Sequence, residues 1–185
     1  MSTSRIDVLS RQLDIAWALF EHHLGQLHDD AFLWEPSPTS WSVRRDPEGI
    51  WVADWRVPEP DPVPTPTIAW LTWHMGYWWE TTLGHCFRRD AVPERQEITW
   101  PGSAAAATEW LRGLYREWRE NLDALSDDEL DARDGTADLP WGRDETLVNV
   151  LAWLNVELTK NVAEIGMIHL LYLARTHDAT GTSST

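Results

Sequence analysis

Four stretches of this chain carry apolar residues at helical spacing, and that pattern constrains the fold more than any other feature. At about 100° per residue, Ile6, Leu9, Leu13, Trp17, Phe20, Leu24 and Leu27 of residues 4–27 share one stripe. Arg5, Arg11 and Glu21 lie off it, so the segment reads as an amphipathic helix with its apolar face in a core. In residues 67–89 the stripe is Ile68, Leu71, Met75, Trp78, Trp79 and Cys86, with Glu80 opposite and Pro66 and Thr67 suited to the start. Residues 104–125 follow Ser103, a good N-cap, and align Ala107, Leu111, Leu114, Trp118, Leu122 and Leu125. Residues 145–175 place Leu147, Val150, Leu151, Leu154, Leu158, Val162, Ile165, Ile168 and Tyr172 together, a helix of about 45 Å if straight. These stretches hold more than half of the 185 residues, and no alternating strand pattern competes with them. The expected fold is all-α, a four-helix bundle, in one domain over residues 1–176, with 177–185 as a flexible tail.

The connection 28–66 holds eight of the 11 prolines together with Trp34, Trp41, Trp51 and Trp55. Proline excludes a continuing helix, while four indoles need burial, so the segment is expected to fold over one end of the bundle, as a stapled crossover or a pocket wall. The connection 127–144 is acidic and is expected to be a surface loop. Tryptophan reaches 14 residues, where ordinary composition gives about two or three, which implies a thick aromatic interior or an aromatic-walled pocket. Trp70, Trp73 and Tyr77 fall off the core face of the second helix, and as an exposed stripe they would suit a dimer interface.

A formal charge of −15 argues against nucleic acid as a partner. The absence of a signal core and the charges interrupting every apolar stretch argue against a membrane partner, and the single cysteine suits a cytoplasmic protein. No phosphate loop, GxGxxG, HExxH, CxxC or GxSxG sequence occurs. Cys86, on an apolar face, reads as a core residue.

Chemistry concentrates instead in polar residues on the inward stripes. Asn161 sits near the centre of the fourth helix's apolar face, and Glu157 lies one turn earlier, so both reach one volume. His74 borders the inward stripe of the second helix. Buried polar groups of this kind need partners, water or a metal. His85 is about 16 Å further along and serves another place; His23 is a lesser candidate, and Glu164 could add a carboxylate at the rim.

The helix order, Trp34-Glu35-Pro36, Ser40-Trp41-Ser42, Leu71-Thr72-Trp73-His74-Met75-Gly76-Tyr77-Trp78 and Asn155-Val156-Glu157-Leu158-Thr159-Lys160-Asn161-Val162-Ala163-Glu164-Ile165-Gly166 resemble the DinB/YfiT-like superfamily over nearly the whole chain. The resemblance implies a bundle that is commonly dimeric and holds a divalent metal on one histidine of the second helix and two of the fourth. Here those positions are His74, Glu157 and Asn161, one match in three. A carboxamide is a weak donor, so zinc, nickel, manganese or iron would be weakly held or absent. The resemblance implies an enzyme of the mycothiol-type transferase or hydrolase kind with a low-molecular-weight thiol as co-substrate. The alternative is a non-catalytic small-molecule-binding or stress-associated bundle, with Glu157 and Asn161 satisfying His74 in a polar knot. A small-molecule ligand and a second copy of the chain are the expected partners.

Overall fold

Three of the four long helices begin where a side-chain oxygen takes an otherwise unpaired amide, which is why the sequence starts them where it does. In the computed structural model, which describes residues 3–88, 92–141 and 144–181 and side chains as far as 177, α1 runs Arg5–Leu24. Ser4 Oγ accepts from the Asp7 amide at 3.1 Å and the Asp7 carboxylate accepts from the Ser4 amide at 3.0 Å, a reciprocal cap. After a single turn, α2 (Asp29–Phe32), and the long crossover, Thr67 caps α3 (Ile68–Leu83). Ser103 caps α4 (Ala104–Ala124) by accepting from the Ala106 amide at 3.2 Å. The last helix, α5, spans Leu147–Gly181. Residue 89, the expected end of the second long helix, lies outside the described residues, and α3 itself gives way to a π-helical turn at Gly84–Arg88. The expected flexible tail from 177 instead continues α5 through Gly181, and 182–185 lie outside the described residues.

α1 and α3 each pack against both α4 and α5. Phe20, Ile68, Leu83, Leu111, Trp118, Val162 and Ile165 are wholly buried between them. At Gly76 a Cβ would lie 1.9 Å from the Trp110 ring of α4, so only glycine lets that ring pack against α3 there. Arg112 ties α4 to α1 through Glu21 at 2.7 Å, and Arg88 bridges Glu80 of α3 and Glu117 of α4.

The crossover departs from expectation in two ways. It contains four short strands: β1 (Ser40–Trp41) pairs in parallel with β4 (Thr65–Pro66), and β2 (Val43–Arg45) pairs antiparallel with β3 (Trp51–Ala53), Val43 opposite Ala53. At the β2–β3 turn Gly49 takes φ 85°, a left-handed value suited to glycine, and the Asp46 carboxylate accepts from the Ile50 amide at 2.8 Å. The strands escaped the periodicity reading because two- and three-residue pairs are too short to alternate.

The crossover also lies along the outer face of α3. Trp41 and Trp55 stack on Trp70, and Trp55 meets Trp73 and Tyr77 edge-on. Trp70 donates its indole N–H to the Asp54 carbonyl at 2.8 Å. The stripe Trp70, Trp73, Tyr77, expected as an exposed dimer interface, is therefore covered by the chain's own crossover, with Trp73 1 % exposed. Trp41 and Trp55 of the crossover and three aromatics on α3 remove each other from water, while Trp34 packs on Tyr172 of α5 and Trp51 on Trp100. The connection 127–144 is also more than a surface loop, because Leu130 and Leu139 are wholly buried and anchor it.

Candidate functional site

Where α3 faces α5, the two helices bring His74 and Asn161 into contact. Helical spacing places Trp78 one turn after His74 on the same face. His74 is 7 % exposed and Asn161 1 % exposed. The Trp78 indole N–H donates to His74 Nε2 at 2.8 Å, and His74 Nδ1 lies 3.4 Å from Asn161 Oδ1. An indole only donates, so Nε2 is the acceptor and the ring proton of neutral imidazole sits on Nδ1. That proton in turn requires the Asn161 oxygen, which leaves Asn161 Nδ2 buried with no partner among the described residues. Trp70 stacks on the imidazole with centroids 4.6 Å apart.

Burial pushes the His74 pKa down to about 4; the Lys160 charge acts in the same direction and the hydrogen bond to Asn161 opposes it. The ring is neutral at pH 7.

Glu157 lines a narrow cleft with Met75, Trp78, Trp79, Leu154, Leu158 and Asn161. Its carboxylate is turned to Lys160 Nζ, 2.9 Å away and one turn further on. The cleft offers about 10 Å³ to the centre of a water molecule, room for a single water. Burial raises the Glu164 carboxyl above its ordinary range; Lys160 opposes this and Glu157 reinforces it.

The structure thus joins His74 to Asn161 and sets Glu157 beside Asn161 across the cleft, with no hydrogen bond from His74 to Glu157 among the described residues. His85 sits apart in the π-helical turn, His23 packs on Gly166 of α5, and Cys86 is buried. Sequence reasoning placed Trp78 in the apolar stripe and missed its polar role; the i, i+4 spacing from His74 was the available signal. Lys160, three residues after Glu157, was likewise legible as a competitor for that carboxylate.

These residues do not fit a divalent ion. The Nε2 lone pair that a metal would use is taken by an indole N–H, Nδ1 carries the proton, and Glu157 is held by an ammonium. The buried group left over, Asn161 Nδ2, is a donor where a cation needs a lone pair. Among the described residues no three histidine, cysteine or acidic side chains converge as metal ligands.

Fold and site together define a four-helix bundle with a hydrogen-bonded polar centre between its second and fourth long helices. The family model of the DinB superfamily matches residues 48–165, more than half of the chain, and the chain belongs to that superfamily. Among solved structures, a conserved protein from Enterococcus faecalis superposes with a TM-score of 0.61 at 12 % identity, covering 94 % of this chain and 99 % of that one. At that identity the likeness speaks for the fold alone. No curated protein matches the chain significantly.

Proposed function

We propose that this DinB-superfamily chain is a non-catalytic small-molecule-binding bundle in which the metal position has become a hydrogen-bonded polar cluster. The observation that carries the reading is the Trp78 indole N–H on His74 Nε2, because it occupies the lone pair of the one histidine that the three positions retain. The central cleft admits no more than a water, so the ligand is taken in the outer grooves away from α1, whose volumes of about 400 and 490 Å³ suit a small molecule.

Elemental mass spectrometry on tag-free protein purified without chelator tests this. Metal is expected to be far below stoichiometric, and added zinc, nickel, manganese or iron should leave the melting temperature unchanged. Near one equivalent of metal, lost in His74→Ala, would overturn the reading and restore a metal-dependent thiol-transferase or hydrolase.

The partner we propose is a second copy of the chain, docked through α1 and α5. Ile15 and Leu19 of α1 and Val156, Met167 and Leu170 of α5 are exposed apolar residues. The groove between the helices is lined by Gln12, Ile15, Ala16, Leu19, Asn155, Val156, Thr159 and Lys160, with no acidic residue. Two copies that each carry −15 approach most easily where acids are absent, and a self-complementary face closes as a dimer. Light scattering should report twice the chain mass, and Val156→Asp should reduce it to the chain mass. A wild-type monomer at high concentration would sink the interface. No helix among the described residues is long and apolar enough to cross a membrane, and a single, buried cysteine, Cys86, suits the reducing cytoplasm we propose as its location.

A further inference from the structure

Four of the seven histidines, His22, His23, His28 and His169, gather where the end of α1 and the start of α2 lie against α5. His23 rests its ring on Gly166, where a Cβ would lie 2.6 Å from His23 Cε1, and meets His22 edge-on at 5.7 Å. One turn after Gly166, His169 is 5 % exposed and faces the His28 ring with centroids 6.3 Å apart. Its Nε2 is buried with no hydrogen-bond partner among the described residues, so the two N–H groups of an imidazolium could not both be satisfied there.

The charges that act on His169 are those of His28 and His23, and both oppose its proton. The acids of the surrounding elements are turned to other partners: Glu21 of α1 to Arg112, Glu80 of α3 to Arg88 and Glu35 of the crossover to Arg44, while Asp29 and Asp30 of α2 are exposed. His74 of α3 is engaged by Trp78 and Asn161, and His22 by Gln26. On α5 itself Glu164 lies more than a turn before His169, and Arg175 and His177, both exposed, lie more than a turn after it. His28 leads directly into α2, whose Ala31 and Phe32 are buried; the Ala31 amide donates to the His28 carbonyl at 2.9 Å. Trp34, just beyond α2, meets Tyr172 of α5 edge-on at 5.8 Å, one turn past His169.

We propose that these histidines form an acid-operated latch, in which protonation of His169 releases residues 28–34 from α5 and uncovers Ala31 and Phe32. Burial, first, and then the two neighbouring rings hold the His169 pKa below the ordinary histidine range while the segment is closed. Above that range the closed arrangement is fully favoured. As pH falls through it, only the open arrangement takes the proton, and the segment opens while the rest of the bundle stays folded.

Hydrogen–deuterium exchange of the whole chain at pH 7.5 and 5.5, corrected for the intrinsic pH dependence of exchange, tests the latch. Protection of residues 28–34 should fall by about ten-fold, the factor for one proton bound only on opening at an ordinary histidine pKa of about 6.5, while α4 keeps its protection. His74→Gln, which removes the separate acid sensitivity of the polar centre, should leave that loss unchanged. His169→Gln should abolish it, and His28→Gln, at an exposed position, should bring it below about five-fold by removing one of the opposing charges. Protection indifferent to pH, a loss shared equally by α4, or a full loss that survives either His169→Gln or His28→Gln would overturn the proposal.

Discussion

Replacing Trp73 with alanine is expected to cost about 4 kcal/mol of folding stability and to lower the melting temperature by roughly 8–16 °C. The indole is 1 % exposed, stacks on Tyr77 at 5.5 Å and meets Trp55 at 5.9 Å. Its N–H donates to the Ile98 carbonyl at 2.6 Å, so truncation leaves that acceptor without its partner as well as a cavity. The loss also loosens the crossover, because Trp55 reaches α3 through this ring and its neighbours. Trp73→Phe, which retains most of the packing and loses the hydrogen bond, should cost about 1–2 kcal/mol. Denaturant unfolding of the two variants decides the matter. A Trp73→Ala cost below about 1 kcal/mol would mean that the crossover does not rest on α3 as described.

Acid is expected to weaken the protein through His74, by on the order of 3 kcal/mol between pH 6.5 and about 4. The folded ring resists protonation because it is buried, with Lys160 adding to the effect, whereas the unfolded ring takes its proton near pH 6.5. Above pH 6.5 both states hold a neutral imidazole and the contribution is complete. As pH falls, only the unfolded state binds the proton, so stability drops until the folded ring titrates near pH 4. His23 and His169 are also held below the ordinary histidine range, mainly by burial, and act in the same sense. The hydrogen-bonded carboxylates of Asp7, Glu21, Glu117, Glu129 and Asp131 have lowered pKa values, so their stabilisation is lost in a more acidic window. Urea unfolding at pH 7, 5.5 and 4.5 should show a steep loss in the wild type and a shallower one in His74→Gln. Equal slopes would remove His74 as the source.

The site was partly legible in the sequence. His74 and Asn161 stood out as polar residues on apolar stripes, and the structure buries them together at 3.4 Å. Glu157 was legible as a neighbour of Asn161 one turn away, but wheel geometry does not say which way a carboxylate at a stripe's edge turns. Lys160 supplies the nearer charge at 2.9 Å and holds it. The donor from Trp78 was hidden for a different reason: an indole counts as apolar in a periodicity reading, although its N–H is an obligatory donor when buried.

The four long helices, their caps at Ser4, Thr67 and Ser103, and the inward stripes were determined by the sequence alone, because helical period and capping depend on residues a few positions apart. Membership in the superfamily was readable on the same local patterns. Only the tertiary structure decided where the crossover goes and what the aromatic stripe of α3 is for. Those outcomes rest on contacts such as Trp55 with Trp73 and Trp41 with Trp70, made between segments that periodicity treats separately. The same holds for the polar centre. Whether His74 offers a lone pair or has it taken depends on how α3 and α5 pack, since that packing selects the Asn161 oxygen for Nδ1 and leaves Nε2 to Trp78.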